Sequence, residues 1–189
     1  MGTATISNVL LTGEPGCGKT TLINKVLEQL HVNAGGFYTQ EIKSGKTRKG
    51  FQLMVLNGAQ AVLAHVNKKS SYKIGKYGID MMVMTDLAVP ALKNALAECE
   101  MVIIDEIGKM ECFSIEFRDI VSRCLDSQKP VFGSIQNFAS PFINSITNRD
   151  DIVRVMVTED NRDQLQNNIV ELLRRMLPEP SPKKSRKRR

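Results

Sequence analysis

Apolar and polar positions recur with two different periods along this chain, and the switches between them outline its elements. Residues 7–12, Ser-Asn-Val-Leu-Leu-Thr, form a short apolar run that predicts a buried strand. From Thr20 to Leu30, the apolar positions Leu22, Ile23, Val26, Leu27 and Leu30 fall at helical spacing. Strand composition returns at 36–42, 51–56 and 61–66, with Ser44-Gly45-Lys46 and Asn57-Gly58 as the intervening turns. Asn-Gly between apolar runs is a strong hairpin signal, so 35–66 is predicted to be a β-meander inserted into an α/β order. Residues 86–96 read as a helix that tolerates Pro90 only near its start. Residues 101–104, Met-Val-Ile-Ile, are a continuous apolar strand of the kind buried in parallel sheets. An amphipathic helix at 113–125, strands at 130–135 and 153–157, and a closing helix at 161–177 complete the pattern. The alternation predicts an α/β fold, a mostly parallel sheet flanked by helices, in one domain over 1–177.

Composition changes this picture only at the end of the chain. At 189 residues and 42% hydrophobic, the sequence has enough apolar side chains for a real core. Its apolar runs fall well short of the roughly 20 residues of a membrane span. The opening Met-Gly-Thr-Ala-Thr-Ile has no basic stretch before an apolar one, and Ile6 stands where a myristoylation motif needs Ser or Thr. Neither a signal peptide nor a lipid anchor is expected. Cys17, Cys99, Cys112 and Cys124 show no CxxC pairing and no metal-ligand spacing, which reads as reduced thiols in a cytoplasmic protein. The net charge of +6 is carried by residues 183–189, which leaves 1–182 formally neutral. Residues 178–189 are predicted to be a disordered basic tail. Such a tail is a solubilising segment, a nuclear-localisation patch or a weak nucleic-acid contact. A monomer is expected.

The chemistry starts at Gly13-Glu14-Pro15-Gly16-Cys17-Gly18-Lys19-Thr20, which matches G-x-x-x-x-G-K-[ST] in full between a predicted strand and a predicted helix. Such a loop turns successive backbone N–H groups onto phosphate oxygens, and the helix N-terminus behind it favours negative charge. Lys19 is expected to reach the β- and γ-phosphates, Thr20 to ligate Mg²⁺, and Thr21 to donate to the α-phosphate. Cys17 reads as small loop filler. The second half of the site is predicted where the apolar strand 101–104 ends in Asp105-Glu106, since ligands of open α/β sheets sit at strand C-termini. Asp105 is expected to hold Mg²⁺ through water, and Glu106 to orient or deprotonate an attacking water.

Three stretches together, 13–22, Gly36-Phe37-Tyr38-Thr39-Gln40-Glu41 and above all Asp105-Glu106-Ile107-Gly108-Lys109-Met110-Glu111, resemble the cancer-related nucleoside-triphosphatase family, which has thermophilic members. Residues 75–80 and 157–162 also resemble it, and the likeness extends over about residues 6–175. The resemblance implies a Rossmann-like P-loop fold and slow Mg²⁺-dependent hydrolysis of several nucleoside triphosphates, ATP and GTP among them, to diphosphate and phosphate. It also implies that the phosphate loop, Asp105 and Glu106 carry their family roles. The basic tail and the loop around 136–148 depart from the family pattern.

A cation on the transferring phosphoryl group speeds such reactions by about 10³–10⁵ when it is well placed. Lys109, Arg149 and Arg162 are the candidates, with Arg162 preferred as catalytic; Lys109 is equally suited to pairing with Glu111. Ser134 and Gln136, at the exit of the strand 130–135, are candidate γ-phosphate sensors or plain turn formers. His31 and His65 read as surface or turn residues. A nucleotide or nucleoside kinase is the main alternative, because it shares the loop and the metal acid. It is disfavoured because 134–148, the natural lid, contains no Lys or Arg. A nucleic-acid-associated nucleotide-binding protein is the second alternative.

Overall fold

In the computed structural model, which describes residues 6–56 and 58–177, the apolar runs become strands of a single sheet. In chain order the strands are β1 (Asn8–Thr12), β2 (Ala34–Ser44), β3 (Thr47–Val55), β4 (Gln60–His65), β5 (Lys73–Ile74), β6 (Tyr77–Ile79), β7 (Met101–Ile107), β8 (Val131–Ile135) and β9 (Ile152–Met156). The helices are α1 (Lys19–Leu30), α2 (Met81–Val83), α3 (Val89–Glu98), α4 (Ile115–Leu125), α5 (Pro141–Thr147) and α6 (Arg162–Met176). Among the described residues the sheet runs β5-β6-β4-β3-β2-β7-β8-β1-β9. Strands β2, β7, β8, β1 and β9 are parallel neighbours, whereas β3, β4, β6 and β5 add an antiparallel wing.

The predicted meander is therefore continuous with the parallel sheet. Strand β2 pairs parallel with β7 along Ala34–Tyr38 and antiparallel with β3 from Phe37 onward, so one long strand serves both regions. The turn between β3 and β4 is closed by Val55 N–H on Ala59 O at 2.8 Å and Gly58 N–H on Val55 O at 2.9 Å. Asn57 of the expected Asn-Gly pair lies outside the described residues, as does the predicted tail 178–189.

Alternate side chains of the parallel strands enter different layers. Val9, Leu11, Met101, Ile103 and Phe132 pack with Leu22, Ile23 and Val26 of α1 and Ile169, Val170 and Leu173 of α6. Leu10, Val102, Ile104 and Val131 pack with Leu92 and Ala95 of α3 and Phe117, Ile120 and Val121 of α4. Each fully buried Leu, Ile or Phe contributes about 1.5–3 kcal/mol by leaving water, so period-2 burial on both faces is what fixes the register.

Several boundaries differ from the sequence expectation for identifiable reasons. The helix expected over 86–96 begins earlier, as α2 and then a π-helical turn at Met84–Ala88, with Asp80 capping α2 by accepting from Met82 N–H at 3.2 Å. Pro90 stands in the first turn of α3, where its missing N–H costs nothing. Of the run 81–84, Val83 and Met84 are buried but Met82 is exposed. The helix expected over 113–125 starts at Ile115, because Ser114 caps it by accepting from Phe117 N–H at 3.1 Å. None of the helices among the described residues is long and apolar enough to cross a membrane.

Candidate active site

The C-terminal ends of β1, β7, β8 and β9 lie along one edge of the sheet, and the residues expected to do chemistry collect there. Strand β1 leads into the phosphate loop, and α1 starts at Lys19. Gly16 and Gly18 have φ of 85° and 100°, a region that L side chains avoid, and this lets the loop curl its backbone before α1 begins. Cys17 is buried under the loop among Val9, Leu11 and Leu22, in keeping with filler. Lys19 Nζ donates to Gly13 O at 2.8 Å and Glu14 O at 3.2 Å, so its ammonium lies across the mouth of the loop. Thr21 is exposed.

Thr20 Oγ1 donates to Asp105 Oδ2 at 2.5 Å, and this contact joins the loop to the end of β7. Asp105 is almost wholly buried, and its other carboxylate oxygen accepts from Ser134 Oγ of β8. Glu106 follows through a cis peptide bond and accepts from Gln136 Nε2. Gln136 Oε1 in turn accepts from Lys109 N–H at 3.2 Å. Ser134 and Gln136 were candidate γ-phosphate sensors in the sequence; the structure places them on the two carboxylates, which they hold in position.

Burial raises the pKa of Asp105, against the opposing effect of hydrogen bonds from Ser134 and Thr20 and of the Lys19 charge. Burial raises Glu106 as well, and the neighbouring Asp105 carboxylate adds to the effect. A third acid belongs to the cluster. Glu111 is fully buried, both carboxyl oxygens lack a hydrogen-bond partner, and burial followed by repulsion from Glu106 pushes its pKa up to about 8. A Cβ at Gly108 would come within 2.7 Å of Glu111 Oε2 and 2.8 Å of Gln136 Nε2, so a side chain there would displace one or both of these groups. The pairing of Lys109 with Glu111 weighed from the sequence does not form: Lys109 Nζ lies 5.5 Å from the centre of the Phe138 ring instead. The sequence hid the burial of Glu111, because an acid two residues after a lysine reads as a surface charge.

The three candidate cations separate clearly. Arg162, the first residue of α6, lies against the phosphate loop: a Cβ on Gly18 would sit 3.0 Å from its Nη1. Asn161 sets the entry to that helix by accepting from Thr158 N–H at 2.9 Å. Lys109 stands on the rim beside Gln136. Arg149 is excluded from the site because Asp126 and Asp151 bind its guanidinium at 2.5 and 2.8 Å beside Ser7 and Asn8, at the opposite end of β1.

The donors fit Mg²⁺. Mg²⁺ takes hard oxygen ligands and binds through one or two protein groups while substrate phosphates and water complete its shell. Thr20 and Asp105 supply such oxygens at contact distance. The site is rich in acids: burial raises Asp105, Glu106 and Glu111, and the Lys19 ammonium opposes the effect at the first two. No group of three or more His, Cys, Asp or Glu able to hold a metal alone occurs among the described residues.

The chain is similar to known proteins over most of its length. A family model described as NTPase matches residues 8–170. The nucleoside-triphosphatase THEP1 of Thermotoga maritima is 42% identical over 166 residues, covering 88% of this chain and 95% of that protein. The crystal structure of THEP1 from Aquifex aeolicus superposes with a TM-score of 0.81 at 34% identity, covering 88% of this chain and 98% of that one. The solution structure of a human cancer-related nucleoside triphosphatase gives 0.75 at 35% identity, covering 91% and 98%. With the family model matching residues 8–170 and a relative 42% identical over 88% of its length, the chain belongs to the NTPase family.

Proposed function

We propose that this protein is an Mg²⁺-dependent nucleoside-triphosphatase that hydrolyses the β–γ phosphoanhydride of several nucleoside triphosphates to diphosphate and phosphate, with slow turnover. The observation that carries the reading is the Thr20–Asp105 contact, which puts the phosphate cradle and the carboxylate pair in one site. The loop amides and the N-terminus of α1 hold the triphosphate. Lys19 exchanges the carbonyls of Gly13 and Glu14 for phosphate oxygens. Thr20 and Asp105 are the residues that hold Mg²⁺, which supplies charge neutralisation at the β- and γ-phosphates when bound.

Glu106 is the general base. Gln136 fixes one of its oxygens, and its raised pKa brings it nearer the working pH, where a base is most effective. It takes a proton from water as the water oxygen attacks the γ-phosphorus; the bridging β–γ P–O bond breaks and its electron pair leaves with the diphosphate. Arg162 is the cation placed to meet charge at the loop. It is held by packing against Gly18 and not by an ion pair among the described residues, a loose arrangement that agrees with slow turnover. Aromatic residues are 5% of the chain, and broad base tolerance follows from a site built around phosphates. The test is phosphate release measured across ATP, GTP, CTP, UTP and their diphosphates. Mg²⁺-dependent release from all four triphosphates is expected; release from the diphosphates alone would refute the reading.

A further inference from the structure

Beside the carboxylate pair lies a recess of about 290 Å³ that the hydrolytic reading does not use. Ile74 of β5, Lys109, Cys112 and Phe113 after β7, Arg118 of α4, and Phe138 and Ser140 before α5 line it. Two features set it apart from an ordinary surface dent. First, it gathers aromatic surface: Phe113 is 41% exposed and packs edge-on against the exposed Tyr72 at 5.7 Å, and Phe138 also lines the recess. Leaving such rings in water forgoes their burial energy.

Second, it gathers positive charge without acidic partners, the Lys109 ammonium lying over the Phe138 ring. Neither Lys109 nor Arg118 forms an ion pair among the described residues, and Arg118 Nε is buried with no hydrogen-bond partner. The groups beside them do not supply the missing negative charge. Burial pushes the Cys112 thiol up to about 12, and Glu111 behind it is drawn towards its neutral form. The recess also communicates with the reaction centre, since Lys109 N–H donates to Gln136, which donates to Glu106.

Aromatic faces and unpaired cations in one small recess suit a ligand with a planar ring and an anionic group. We propose that the recess is a second ligand site, separate from the phosphate loop, and that it takes a nucleoside monophosphate with its base against Phe113 and Phe138 and its phosphate on Lys109 and Arg118. Stacking of a base on an aromatic side chain contributes about 1–3 kcal/mol, and guanidinium–phosphate pairing fixes orientation as well as charge. The proposal rests on the loop being the triphosphate site, and the test separates the two.

The full chain is first saturated with Mg²⁺ and a non-hydrolysable ATP analogue, and that binding is measured by calorimetry. Failure at this step counts against the loop assignment; AMP is then titrated into the free protein, where the same Kd is expected and absence of binding overturns the proposal. AMP, GMP, adenosine and inorganic phosphate are then titrated into the loaded protein. A Kd for AMP or GMP below about 1 mM is expected, with adenosine and phosphate each binding at least tenfold more weakly. Arg118→Gln and Phe138→Ala are each expected to weaken AMP at least tenfold while keeping analogue binding and hydrolysis. Phe138→Ala preserves the test should Arg118→Gln fold poorly, because Phe138 lies on a loop. Absence of AMP binding, loss of AMP whenever the analogue fills the loop, phosphate binding as tight as AMP, or indifference to both substitutions would each overturn the proposal.

Discussion

Replacing Glu111 by Gln isolates the cost of burying a carboxylate next to Glu106, and the structure sets its size and its pH window. Glu111 is fully buried without a partner, and its pKa lies at about 8 against an ordinary 4.5. The sign follows from linkage: an acid whose folded-state pKa is raised binds protons more tightly folded than unfolded. Below pH 4.5 it is neutral in both states and costs nothing. Between about 4.5 and 8 its destabilisation grows, and above 8 it is constant. At about 1.4 kcal/mol per pH unit, the full interval corresponds to about 5 kcal/mol. Water entering around the charged group lowers the realised cost, so a difference of about 2–5 kcal/mol is expected. Glutamine keeps the shape and cannot ionise. In the absence of nucleotide and Mg²⁺, the melting-temperature gap between Glu111→Gln and the wild type should therefore widen in favour of the variant from about pH 5 to about pH 8. At about 2–4 °C per kcal/mol, the widening is about 4–20 °C. Comparing the two pH values cancels the constant difference between an amide and a neutral carboxyl. A gap that is the same at both pH values would refute the reasoning, because it would mean that Glu111 ionises in the folded protein as easily as in water.

Three further outcomes test the positioning of the site. Ser134→Ala removes one of the two hydroxyls on Asp105, and the Mg²⁺ concentration for half-maximal hydrolysis should rise by about 10-fold, the effect of losing a partner that orients a metal ligand. Asp105→Asn should raise it further and lower the maximal rate, and an unaltered Mg²⁺ titration would contradict the metal assignment. Arg162→Ala should lower kcat by about 10-fold with little change in melting temperature, well short of the 10³–10⁵ of an ordered arginine finger; steady-state kinetics and thermal denaturation check both halves.

The strand–loop–helix beginning and the Asp105-Glu106 strand end were legible in the sequence because their chemistry is local. The glycines, Lys19 and Thr20 must sit in that order for the loop to work, and Met101 to Ile104 can only be a buried strand. What the sequence did not disclose depends on distant contacts. Strands β5 and β6 have two and three residues, too few to show a period; β6 owes its existence to pairing with β4, and β5 to pairing with β6. Helix α5 spans seven residues in a polar stretch and is held by burial of Ile143 and Ile146. The double duty of β2 was hidden for the same reason, since parallel pairing with β7 joins residues more than sixty positions apart in the chain. In the site, the pairing of Ser134 with Asp105 and of Gln136 with Glu106 arises because β8 lies beside β7. Neighbouring strands exchange side-chain partners that no linear spacing displays.

The account depends most on Glu106 acting as the base in a site where Mg²⁺ and nucleotide bind independently of it. Glu106→Gln keeps a side chain able to meet Gln136 but removes the group that accepts the proton. Binding of Mg²⁺ and ATP, followed by calorimetry, should stay near the wild-type level, whereas single-turnover hydrolysis should slow by about 10²–10⁴. Hydrolysis at the wild-type rate by the Glu106→Gln protein would contradict the account.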